Sequence, residues 1–167
     1  MPRGKLNPVN TKIMFIQPEE LGTTIYNYQI EQITEGDESI VIQAIQSAES
    51  ELRAYLVANN KREWKDGRIR YDVGKILAAT GADRNPLLVR HCATIAKWYI
   101  AELCNADYIY EHCKERYDRA VTWLNKLAKG DITLDTLPAL VDPTDPGTEP
   151  NETDPFIYGS REKFIHE

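Results

Sequence analysis

Apolar residues recur at helical spacing in three long stretches of this chain. Between residues 37 and 57, Val41, Ile45, Ala48, Leu52, Tyr55 and Leu56 keep to the i, i+3, i+4, i+7 rule, and Gln43, Gln46, Glu49, Ser50 and Arg53 fall on the other side. That spacing predicts a long helix. Thr34-Glu35-Gly36-Asp37 precedes it as punctuation, with Asp37 placed to cap the free N–H groups of the first turn. A second helix opens at Asn85-Pro86, a cap followed by a proline whose missing N–H costs nothing at that position. Its stripe is Leu88, Cys92, Ile95, Ala96, Tyr99 and Leu103. Leu87, Ala93, Trp98 and Ile100 widen that stripe until the helix is apolar almost all round, which suits the centre of a bundle. Residues 105–107 break the pattern. A third helix is predicted from about residue 108 to 129, with Cys113, Tyr117, Ala120, Leu124, Leu127 and Ala128 on one face and Glu111, Lys114, Glu115, Asp118 and Arg119 opposite. Gly130 then frees the chain from the helix.

Shorter elements fill the intervals. Residues 13–16 are an apolar patch, and Gln17-Pro18-Glu19-Glu20-Leu21 reads as a short helix start, with proline and two acids in its first turn. Tyr26, Ile30 and Ile33 continue it or add a turn. Residues 59–70 are polar, with Trp64 as the one large apolar residue up to residue 68, and Val73, Ile76 and Leu77 give a short helical pattern that Thr80-Gly81 ends. Residues 131–134 are expected to form a short strand or extended piece. The fold class that follows is all-α: a small bundle of three long helices plus short helices, with an extended N-terminal arm and a C-terminal tail. The expected divisions are an arm at 1–12, a helical domain at 13–137, a linker at 138–155 and an apolar tail at 156–167.

Composition adds the reason for the last two. The chain has 167 residues, a globular share of apolar residues at 42%, and a formal net charge of −6. Five prolines fall in 138–155, and residues 141–155 carry Asp142, Asp145, Glu149, Glu152 and Asp154 with no base. Such a stretch has little apolar surface to offset the entropy of ordering, and its prolines favour an extended form. Phe156, Ile157, Tyr158, Phe164 and Ile165 follow within a few residues. A sticky tail on a spacer either docks on a neighbour or folds back on its own domain.

Charge and composition also exclude. No global positive excess marks a nucleic-acid wrapper. No apolar run reaches 18 residues, so no membrane span is expected, and the first residues lack the apolar core of a secretory signal. Cys92, Cys104 and Cys113 are an odd, sparse set, which argues for a reducing compartment and for small buried hydrophobes instead of disulfides. His91-Cys92, Cys104 and His112-Cys113 invite reading as a metal set, but adjacent helical residues diverge by about 100°, so each pair offers one ligand at best. No phosphate-cradling glycine loop, Glu-x-x-His pair or nucleophile elbow is present. No cofactor and no enzyme activity are therefore expected. One basic segment, Lys61, Arg62, Lys65, Arg68 and Arg70 around Trp64, could contact phosphates, and a solvated loop of mixed charge is the plainer reading.

Short blocks in a fixed order resemble a known family. They are the Pro-Glu-Glu-Leu start, Ala54-Tyr55-Leu56, Arg70-Tyr71-Asp72-Val73, Ala79-Thr80-Gly81 and Arg84-Asn85-Pro86-Leu87-Leu88. Ile95-Ala96-Lys97-Trp98-Tyr99, the run from Tyr117 to Leu124, Ala128-Lys129-Gly130 and Ile132-Thr133-Leu134 complete them. The order is similar to that of the Mu-like phage neck family, helical head–tail connector (adaptor) proteins also found in Bacteroidetes prophages. Phe156-Ile157-Tyr158-Gly159-Ser160-Arg161 resembles that family's closing segment less specifically. The stretch 59–68 looks longer than the usual join, and the acidic linker is this chain's own.

The resemblance implies a virion protein of the head–tail neck, made in the bacterial host cytoplasm. Such proteins form a homo-oligomeric ring beneath the portal protein. The ring meets tail-completion, stopper or tail-tube proteins, and double-stranded DNA passes through it without sequence-specific binding. The candidate partner-interface residues are Phe156, Ile157, Tyr158, Arg161, Phe164 and Ile165 in the tail, with Arg70 and Tyr71. A negative net charge is compatible with a channel wall that lets DNA slide. The competing expectation is a small DNA-binding or packaging regulator that uses residues 61–70.

Overall fold

A computed structural model describes residues 14–23, 25, 27–61, 68–104 and 107–140. Five α-helices lie among them: α1 (Asn27–Thr34), α2 (Glu38–Asn60), α3 (Val73–Ala78), α4 (Pro86–Leu103) and α5 (Asp107–Lys129). Short 3-10 helices at Pro18–Thr23 and Gly81–Asp83 complete the order. The three long helices pack pairwise against one another. Ile45, Leu52 and Leu56 of α2, Leu88, Ile95 and Ile100 of α4, and Leu124 and Leu127 of α5 are fully buried where they meet. Each such side chain contributes about 1.5–3 kcal/mol on leaving water. The all-α bundle expected from the pattern is the fold observed.

The helix ends follow their capping residues. The Asp37 carboxylate accepts from Ser39 N at 2.9 Å, and Asn85 Oδ1 accepts from Leu87 N and Leu88 N with Pro86 at the first helical position. At the end of α5, Gly130 takes φ +80°. Its N–H donates to Leu127 O and Asp131 N–H to Lys126 O, the paired bonds of a Schellman motif. Arg68 donates to the carbonyls of Ala128 and Lys129, which α5 itself leaves without partners.

The linker boundary needs correction. Of the two forms expected for residues 131–134, no strand forms: the chain bends at 131–132, and 133–134 carry no regular structure. The extended pairing lies further on, as an isolated antiparallel bridge between Tyr71 and Ala139. There Asp72 N donates to Pro138 O and Leu140 N to Arg70 O, both at 2.8 Å. Residues 138–140 therefore belong to the folded domain, and the acidic segment starts after them. Leu137, buried at 7% exposure, anchors that return. At the other end, Phe15, Ile16 and Leu21 are buried in the same core. The arm at 1–12, residues 62–67 and residues 141–167 lie outside the described residues.

Candidate functional site

The six tail residues proposed for partner contact lie outside the described residues, and the remaining two are placed very differently. Arg70 is exposed. Tyr71 is 1% exposed and is a core residue. Its N–H donates to Asn60 Oδ1 at 2.8 Å, its carbonyl accepts from Asn60 Nδ2 at 2.7 Å, and its hydroxyl accepts from Leu134 N at 2.9 Å. Asn59, also buried, donates to Ile69 O at 3.0 Å. Two adjacent asparagines at the end of α2 thus clamp residues 69–71, and Tyr71 holds the segment after α5. That role is internal, so Tyr71 offers no partner surface while the domain is folded. In sequence the two asparagines read as the start of a polar loop.

Two further polar contacts fasten the bundle. Glu51 of α2 accepts from Tyr99 Oη of α4 and Tyr117 Oη of α5, each at 2.9 Å. Burial and the Glu51 carboxylate push the Tyr99 hydroxyl up to about 12 and raise that of Tyr117 as well. Arg84, ahead of α4, donates to Phe15 O and to Glu20 Oε2, both at 2.7 Å, and its second terminal nitrogen also pairs with Glu20. The Arg84 hydrogen bond holds the Glu20 carboxyl below its ordinary value. This contact joins the first described segment to the turn before α4.

The surface between α4 and α5 carries a groove of about 610 Å³. His91 lies in its wall, stacked on Trp123 with ring centroids 4.5 Å apart. Burial lowers the His91 pKa to about 4, with a smaller contribution from Arg90, so the imidazole is neutral at pH 7. A second concavity of about 420 Å³ lies among the 3-10 helix Pro18–Thr23, α1 and α2, where Glu19, Glu31 and Glu38 surround Ile30, Val41 and Ile42. Leu103 and Tyr110 are exposed on either side of the α4–α5 connection, and Trp98 packs between Tyr110 and Tyr117.

The cysteines lie apart among the described residues. Burial pushes all three thiols up, which disfavours the thiolate needed for attack or metal ligation. Cys92 lies in the main core and Cys113 in a separate cluster with Trp98 and Ala101. No group of three or more His, Cys, Asp or Glu that could hold a metal occurs among the described residues. No helix among them is long and apolar enough to cross a membrane.

An all-α bundle of three long helices with open concavities on its surface defines a class of small helical proteins. Residues 15–150 match the family described as Bacteriophage Mu, Gp36. The match spans most of the chain, and the chain belongs to that family. This places it among proteins of Mu-like bacteriophages and suggests a part in phage structure or assembly. No curated protein and no solved structure matches it.

Proposed function

We propose that this protein is a structural head–tail connector of a Mu-like phage, one that acts by occupying a place between neighbours and not by catalysis. In this reading, copies form a closed ring beneath the portal and give the tail its platform. Double-stranded DNA passes through the ring, and the tail residues 156–165 contact adjoining chains. The observation that carries it is the family match over residues 15–150. A bundle stapled at Glu51, Arg84 and Asn60 suits a subunit that repeats as a wedge in a closed heterologous ring.

The competing DNA-binding reading loses support at Arg68. Its guanidinium is turned onto the α5 carbonyls and is not offered to a phosphate. Complementation of a phage lacking this gene tests the proposal. The full chain is expected to restore tailed particles that contain it at the neck, whereas a chain ending at Leu140 is expected to leave heads and tails unjoined. Tailed particles without the protein, or normal joining by the truncated chain, would overturn it.

A further inference from the structure

The groove between α4 and α5 is cationic on both sides. Arg90 and Lys97 come from α4, Arg116 and Arg119 from α5, and no carboxylate of the described residues lines it. Arg119 pairs along its own helix with Glu115 at 3.1 Å. Arg90 and Arg116 have no ion pair among the described residues. Apolar surface from Leu87 and Trp123 lines the same groove, and His91 Nε2 is buried there without a hydrogen-bond partner. Cations gathered from two helices repel one another, and an anionic occupant would relieve that repulsion.

A matching polyanion exists on the same chain. Residues 141–154 hold Asp142, Asp145, Glu149, Glu152 and Asp154, interrupted by Pro143, Pro146 and Pro150, with no base. The segment follows directly on residues 136–140, which are tied to the start of α4 and to Arg70. Leu140 is bonded to Arg70, Arg68 sits on the last carbonyls of α5, and Thr136 Oγ1 lies 3.4 Å from Asn85 Nδ2 at the start of α4. Leu87 and Trp123 line the groove close to those same two helix ends. From Leu87 to Lys97 the helix rises about 15 Å, which five or six residues of proline-rich extended chain cover at about 3.1 Å each. A tether this short gives an effective concentration on the order of millimolar, and prolines lower the entropy lost on docking.

We propose that residues 141–154 dock along the α4–α5 groove of their own chain, with their carboxylates against Arg90, Lys97, Arg116 and Arg119. The inference is independent of the connector role. It is tested on the full chain with a protease that cuts after glutamate, following cleavage of the Glu152–Thr153 bond by mass spectrometry, because Pro150 blocks cutting after Glu149. In low salt that bond is expected to be cut slowly. High salt, or the double variant Arg90→Gln with Arg116→Gln, is expected to speed cutting about tenfold, since both weaken the ion pairs. Circular dichroism verifies that the variant keeps its helices, as the exposure of both arginines predicts. Equal cutting of wild type and variant, or cutting insensitive to salt, would overturn the proposal. Protection that grows with protein concentration would place the segment on another copy and overturn the intrachain assignment. Release of the segment by a short DNA duplex at low salt, with the duplex bound through Arg90 and Arg116, would make DNA the occupant and likewise overturn it.

Discussion

Glu51 is where all three long helices share one polar contact, so replacing it should loosen the bundle as a unit. Its carboxylate accepts two tyrosine hydroxyls at 2.9 Å, one from α4 and one from α5. A hydrogen bond to a charged acceptor contributes about 1.5–3 kcal/mol, so two fully buried ones would contribute about 3–6 kcal/mol. Glu51, Tyr99 and Tyr117 are each only partly buried, and water can take up the vacated positions. The expected cost of Glu51→Ala is therefore about 2 kcal/mol, which lowers Tm by on the order of 6 °C in a chain of this size. Glu51→Gln keeps an acceptor oxygen without the charge and should cost about 1 kcal/mol. The assay is urea unfolding of both variants in wild type and in a Tyr55→Phe, Tyr99→Phe, Tyr117→Phe background, since the Tyr55 hydroxyl also interacts with Glu51. Coupling requires that Glu51→Gln cost close to nothing once the hydroxyls are gone. An equal loss in both backgrounds would refute the three-helix contact.

Other residues make separable predictions. His91 is held neutral with a pKa near 4 against an ordinary value of 6.5, so the unfolded chain binds the extra proton first and stability should fall as pH drops from 6.5 towards 4. His91→Phe keeps a ring against Trp123 and should flatten that part of the pH–stability curve; an unchanged slope would refute the assignment. Arg84→Lys cannot reproduce the forked contact with Glu20 and Phe15 O. It should cost about 2 kcal/mol, with faster amide exchange confined to residues 14–23, and uniform loss of protection across the bundle would count against a local clamp.

The long helices were legible because their information is local. Asp37, Asn85 and Gly130 sit beside the turns they cap, and each apolar stripe reports a face of its own helix. The missed features depend on partners remote in sequence. Asn59 and Asn60 looked like the start of a polar loop because Ile69 and Tyr71, which they hold, lie ten and eleven residues on. Tyr71 looked available to a partner because nothing near it in sequence reveals that Leu134 supplies its hydrogen bond. Residues 138–140 looked like linker because of Pro138, yet the bridge uses the proline's carbonyl and needs no N–H from it.

The same logic explains why the cationic groove was hidden while its signal was present. On α5, Arg119 read as one charge on a mixed solvent face. On α4, Glu102 is the single acid, and Arg90 and Lys97 stand two turns apart with no acid between them. Packing α4 against α5 merges two unremarkable faces into one wall on which the described residues place no acid, while residues 141–155 hold five acids without a base. Because that segment carries nearly all of the net charge of −6, the rest of the chain is close to neutral. The acidity therefore says little about the bundle's outer surface, and a DNA channel made from these bundles would take its lining from whichever local face turned inward. If the acidic segment leaves the groove when a neighbour binds, that face would change from screened to strongly basic, and the field it presents to that neighbour would change sign with it.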